Sequence, residues 1–132
     1  RFIDELDLSN ADNKEKVLVI SEEQLGHGNA KDIFAGIQKG IPLYLSIDKD
    51  VLSKKEALTN WDQGNMSVSY LKQLIRFFFF KWDVIGIDLG GEVPNAFIKA
   101  EFDKERRING RLNQELYSYI IECSERRRPP VL

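Results

Sequence analysis

The 132 residues are enough for one domain with a core of its own. Charged residues make up 30% and the net charge is -2, so no overall basic field draws the chain to nucleic acid or to an anionic membrane surface. One cysteine, Cys123, excludes an internal disulfide and a cysteine-rich zinc site and fits a reducing, cytoplasmic compartment. No run of about 18 apolar residues is present to cross a bilayer, and no signal peptide is visible.

The chain reads as three strand–helix units. Lys16-Val17-Leu18-Val19-Ile20 is a short apolar run of the kind a doubly covered parallel strand uses. Ser21-Glu22-Glu23 and a Gly-His-Gly loop follow. Asn29 is placed to cap a helix through Ile33, Phe34 and Ile37, with Gly40 ending it and Pro42 blocking its continuation. Leu43-Tyr44-Leu45-Ser46-Ile47 is the second strand, and a polar loop spans about 50–65. Ser67 opens a helix whose Leu71, Leu74, Ile75, Phe78 and Phe79 share one face. The four phenylalanines from Phe77 to Phe80 spread around a helical turn, so core packing is expected there. Trp82 to Ile87 is the third strand, ending at Asp88, and Gly90-Gly91-Glu92-Val93-Pro94 is a loop. The last helix carries Ile108, Leu112, Leu116, Tyr119, Ile120 and Cys123 at mixed steps of three and four. Arg126-Arg127-Arg128, beside Pro129-Pro130, reads as a solvated tail.

This alternation predicts an α/β fold with helices on a mostly parallel sheet. Such sheets bind ligands beyond the carboxyl ends of their strands, so the loops after Ile20, Ile47 and Ile87 are expected to share a rim. Along a strand, residues two apart face the same way. Asp48 and Asp50 then project together at that rim, with Lys49 opposed. Two adjacent carboxylates repel unless a proton or a cation lies between them, and oxygen ligands suit a hard divalent ion such as Mg²⁺ or Mn²⁺. The same spacing also allows Asp50 to turn away and cap the following loop while Asp48 meets Lys49 or an arginine.

The segment SIDKDVL, Ser46 to Leu52, resembles the Ser-Phe-Asp-x-Asp-x-Leu-Asp-Pro motif of the ureohydrolase family, which includes arginase, agmatinase and formiminoglutamase. The loop TNWDQGNMSVSYLKQLI is similar to the family's Gly-rich loop leading into Gly-Gly-Leu-Ser and a helix, with Gly64-Asn65-Met66-Ser67 in the matching place. VIGIDLGGEVP is similar to the family's strand ending in Gly-x-Asp-x-x-Glu with a proline shortly after. The three motifs occur in the family's order. The likeness covers about Val17 to Pro94, and the last helix more loosely.

The resemblance implies a three-layer α-β-α fold, arginase-like, of which residues 1–132 form the C-terminal part of a single domain. It implies two Mn²⁺ ions bridged by a hydroxide that attacks a guanidinium or related C–N carbon. By position, Asp48 and Asp50 match the motif's metal-binding aspartates, and Glu92 its guanidinium-binding glutamate, one residue further from Asp88 than usual. A carboxylate accepts paired hydrogen bonds from a guanidinium, so the residue type suits the role. The implied partner is a small guanidino-type substrate or an arginine within a peptide; assembly into a homo-oligomer is left open. Asp62 and Trp61 are either a substrate-side pair or a turn-forming Asp beside a Trp that covers the core.

Ser53-Lys54 stand where Asp-Pro usually follows the motif, and Asn60-Trp61-Asp62 where Thr-Pro-Glu is common in agmatinases. The family's first half also supplies a metal-binding histidine and an Asp-x-His-x-Asp segment; this chain has a single histidine, His27, and no Asp-x-His-x-Asp. The expectation is therefore a manganese-dependent C–N hydrolase in the complete domain, with weak metal binding and no turnover in this chain alone. His27, the one histidine, would add either a third ligand to Asp48 and Asp50 or simply a loop side chain in water. Two other classes remain: a non-catalytic binding or structural module, marked by folding without metal, and a phosphoacceptor-type α/β domain, which also places acids at strand ends.

Overall fold

The computed structural model describes residues 17–59, 61–92 and 103–127. The chain divides into two compact units, Arg1–Gln38 and Lys39–Leu132.

In the first unit, Val17 to Ile20 forms no strand, while Lys16 lies outside the described residues. Val17, Leu18 and Val19 are exposed. A β-branched apolar run becomes a strand only when a neighbour takes up its backbone groups, and composition cannot supply that neighbour. Where a loop was expected, Glu22–His27 forms helix α1. Ser21 begins it with a capping box: its hydroxyl accepts from the Gln24 N–H, and the Gln24 side chain accepts from the Ser21 N–H. The expected helix after Asn29 is shorter than its apolar spacing suggests. Asn29 caps α2, Ala30–Ile33, by accepting from the Lys31 N–H. The chain then tightens into three-residue turns, Ala35 to Asp32 and Ile37 to Phe34. Gly36 falls in that stretch, and glycine costs about 1 kcal/mol against alanine inside a helix.

The second unit is mixed α/β. Strand β1, Pro42–Asp48, is followed by a 3₁₀ turn, Lys49–Val51. Helix α3 is Val68–Lys81, strand β2 is Asp83–Gly90 and helix α4 is Asp103–Arg127. The described residues thus hold two strands rather than three. They pair in parallel, from Pro42 opposite Asp83 to Asp48 opposite Gly90, so both end at one edge. Ile85 is an extra residue opposite the step from Leu43 to Tyr44. One sheet face carries Ile47, Val84, Ile87 and Leu89, which pack against the core. On the other face Tyr44 and Ile85 are exposed.

Helix α3 begins where Ser67 accepts from the Tyr70 N–H. Leu71, Leu74, Ile75 and Phe79 are buried as their spacing predicts, joined by Val68. Phe78 is only half-buried, set against the rings of Phe77 and Trp82. Phe80, one step past the buried Phe79, points to solvent. On α4, Leu112, Leu116, Ile120 and Cys123 form the facing stripe. Each large apolar side chain fully buried here contributes about 1.5–3 kcal/mol. Lys72 ties the helices at their edge, 2.5 Å from Glu115. The arginines expected in a tail begin inside α4, which runs to Arg127.

The loop expected to be polar is packed down instead. Leu52 and Ala57 are fully buried. Buried Asn109 of α4 accepts from the Leu58 N–H at 3.1 Å and donates to its carbonyl at 2.7 Å. Gln63 donates to the carbonyls of Leu52 and Ala57. These amides satisfy backbone groups that a buried loop would otherwise leave unpaired. No helix among the described residues is long and apolar enough to cross a membrane.

Candidate functional site

The parallel pairing of β1 and β2 carries three of the expected site residues to one edge. Asp48 is the last residue of β1, Asp50 lies in the turn after it, and Glu92 is two residues beyond β2. The alternation argument holds only in part. The strand stops at Asp48, and the 3₁₀ turn sets the position of Asp50. Asp48 Oδ1 caps that turn by accepting from the Asp50 N–H at 3.0 Å. The alternative of Asp48 meeting Lys49 does not occur, because Lys49 turns inward and is fully buried.

Two glycines let the chain close around this turn. Gly91 adopts φ 83°, and a Cβ there would lie 2.6 Å from Asp48 Oδ1. A Cβ on Gly64 would lie 2.6 Å from the Val51 carbonyl oxygen, and the Gly64 N–H donates to the Asp50 carbonyl at 2.7 Å. Gly64 thus binds the loop before α3 to the turn that carries Asp50.

Lys49 makes the most developed polar contact. Its ammonium donates to Glu92 Oε1 and, at 2.9 Å, to Asn113 Oδ1. Asn113 Nδ2 donates to the same Glu92 Oε1 at 2.7 Å, closing a triangle across the turn after β1, the segment after β2, and α4. Burial by itself would raise the Glu92 pKa. The hydrogen bonds from Asn113 and Lys49, with the Lys49 charge, outweigh it and hold the carboxyl below its ordinary value. Neither Lys49 nor Asn113 was singled out from sequence. The signal for Lys49 was present in Asp-Lys-Asp: if the flanking acids face a rim, the lysine faces the core and requires a carboxylate.

On the outer sheet face, the Ser46 hydroxyl donates to Asp88 Oδ1 at 2.9 Å. Asp88 also raises the pKa of Tyr44, first as hydrogen-bond acceptor from the phenol, then by its charge, with burial least. Asp62 is exposed, and no hydrogen bond or ion pair joins it to Asp48, Asp50 or Glu92. Trp61 is 64% exposed, so the reading in which it covers the core is wrong. His27 is exposed at the end of α1 and belongs to the first unit.

A hard divalent ion takes about six ligands. Among the described residues no cluster of three or more His, Cys, Asp or Glu is formed. Two carboxylates such as those of Asp48 and Asp50 would supply only part of such a shell. Asp50 Oδ1 is a buried carboxylate oxygen with no hydrogen-bond partner among the described residues, one turn from the Asp48 carboxylate. A buried anionic oxygen without a donor is the kind of group a cation satisfies. In comparisons with known proteins, the chain matches no family model, and neither curated proteins nor solved structures give a significant likeness.

Proposed function

We propose that the chain supplies part of the metal and substrate site of a three-layer, arginase-like domain that hydrolyses a guanidino or related linear C–N bond. The observation that carries this reading is the shared edge of two parallel strands, beside which Asp48, Asp50 and Glu92 all fall and where Asp50 Oδ1 is buried with no hydrogen-bond partner among the described residues. Asp48 and Asp50 would hold manganese, each through an oxygen not used in capping the turn. When bound, manganese would acidify a water and stabilise developing charge. Glu92, half-exposed, would accept the cationic end of a small guanidino compound or of a peptide arginine. Trp61 and Asp62 precede Gly64, whose N–H donates to the Asp50 carbonyl, and on this reading they would meet the outer part of a substrate.

A non-catalytic module is favoured by one observation: the Glu92 carboxylate already has an internal cation in Lys49. The two readings separate in the protein that carries this chain. On the hydrolase reading, Asp48→Ala removes manganese and urea release from arginine, agmatine or an arginine peptide together. Glu92→Ala keeps manganese and raises KM for the cationic substrate. Retention of both metal and rate in Asp48→Ala would sink the reading.

A further inference from the structure

The triangle at Glu92 has an uneven shape. A carboxylate has about four lone-pair sites, two on each oxygen. Lys49 Nζ and Asn113 Nδ2 both donate to Oε1, which fills that oxygen. Among the described residues no donor reaches Oε2. The Glu92 side chain is 52% exposed while that of Lys49 is fully buried, so solvent reaches the glutamate side of the pair. Asn113 also accepts from Lys49, so the ammonium cannot swing to Oε2 without breaking a second bond.

We propose that Lys49 and Asn113 are positioning residues that fill Oε1 of Glu92 and leave Oε2 as its free oxygen among the described residues, so that this carboxylate takes a cationic group through that one oxygen. The proposal rests on the reading of Glu92 as the group that meets the substrate's cation. It has a consequence for selectivity. A guanidinium gains over an ammonium by laying two parallel N–H groups on both oxygens of a carboxylate. With Oε1 filled, that advantage is lost. Glu92 then accepts an alkylammonium about as readily as an alkylguanidinium, and the choice between them falls to other contacts.

The test compares methylguanidinium with methylammonium as probes. Each is added to the metal-free chain labelled with ¹³C at the glutamate carboxyls, and the initial slope of the Glu92 signal against concentration is read. The ratio of the two slopes cancels the change in net charge that any Lys49 variant brings. In the wild type the ratio should lie within about twofold of one. Lys49→Met frees a lone pair on Oε1, and the ratio should move towards methylguanidinium by about threefold or more. Asn113→Leu frees the other, lies on a partly exposed helix position and serves if Lys49→Met does not fold; it should move the ratio in the same direction. Equal ratios in wild type and variants, with both cations still registering at Glu92, would overturn the positioning role and leave the Glu92 reading standing. No response of Glu92 to either cation in the wild type would remove the Glu92 reading itself, and the proposal with it.

Discussion

Gly91 lies so close to Asp48 that a methyl group at position 91 would sit 2.6 Å from the Asp48 carboxylate oxygen. The contact joins the segment after β2 to the acid that ends β1, and it requires a left-handed φ that glycine adopts freely. Gly91→Ala should therefore cost at least about 1–2 kcal/mol for the backbone alone, more with the clash. Urea denaturation reads this directly, and an unchanged midpoint would mean the close approach is absent.

The buried lysine predicts an asymmetry between removing Glu92 and removing Lys49 itself. Glu92→Gln leaves a fully buried ammonium facing a neutral amide and should cost about 1–3 kcal/mol. Lys49→Met puts an apolar chain of similar length in the same slot and leaves a carboxylate that water already reaches, so it should change stability by less than about 1 kcal/mol. Paired melting curves check the order, and a larger loss in Lys49→Met would contradict it.

Glu92 also gives a pH dependence. Its folded pKa lies below the ordinary value of 4.5, so the folded state binds this proton less readily than the unfolded chain. The stability it contributes is present above the ordinary carboxyl range and is lost as pH falls towards the depressed folded value. The stability difference between wild type and Glu92→Gln should thus shrink as pH is lowered from 6 to 3. A difference that grows on acidification would reverse the sign of the argument.

The phenylalanine run offers a graded core test. Phe79→Ala should cost about 3–5 kcal/mol, because the ring is buried against α4 and the sheet. Phe78→Ala should cost less, since that ring is half-buried, and Phe80→Ala should be within about 0.5 kcal/mol of neutral. Equal losses at all three would mean that the helix is rotated from the position described.

What the sequence disclosed divides along the range of the interaction. The faces of α3 and α4 follow from local apolar spacing, and β1 and β2 from short apolar runs ending in acids, so these elements were legible. The Ser21–Gln24 capping box is equally local, while the two glycines flanking His27 favour a loop, and in the folded chain the box prevails. Val17 to Ile20 has strand composition, but strand formation depends on a partner that composition does not specify. The Asp48–Asp50 edge was readable from spacing, although the 3₁₀ turn that sets Asp50 was not. The Lys49–Glu92–Asn113 triangle joins residues 43, 64 and 21 positions apart and emerges only once β1, β2 and α4 are packed together.

The central claim is that Asp48 and Asp50 form the manganese-binding edge, and paramagnetic broadening tests it even where binding is weak. Small additions of Mn²⁺ to the ¹⁵N-labelled chain should broaden first the amides of Asp48 to Asp50, Gly64 and Gly91, which the structure packs around one turn. Asp48→Asn with Asp50→Asn should abolish that selectivity while the fold and the remaining signals are kept. Broadening spread equally over exposed acids such as Glu22, Glu23 and Glu122, or unchanged in the double variant, would contradict the account.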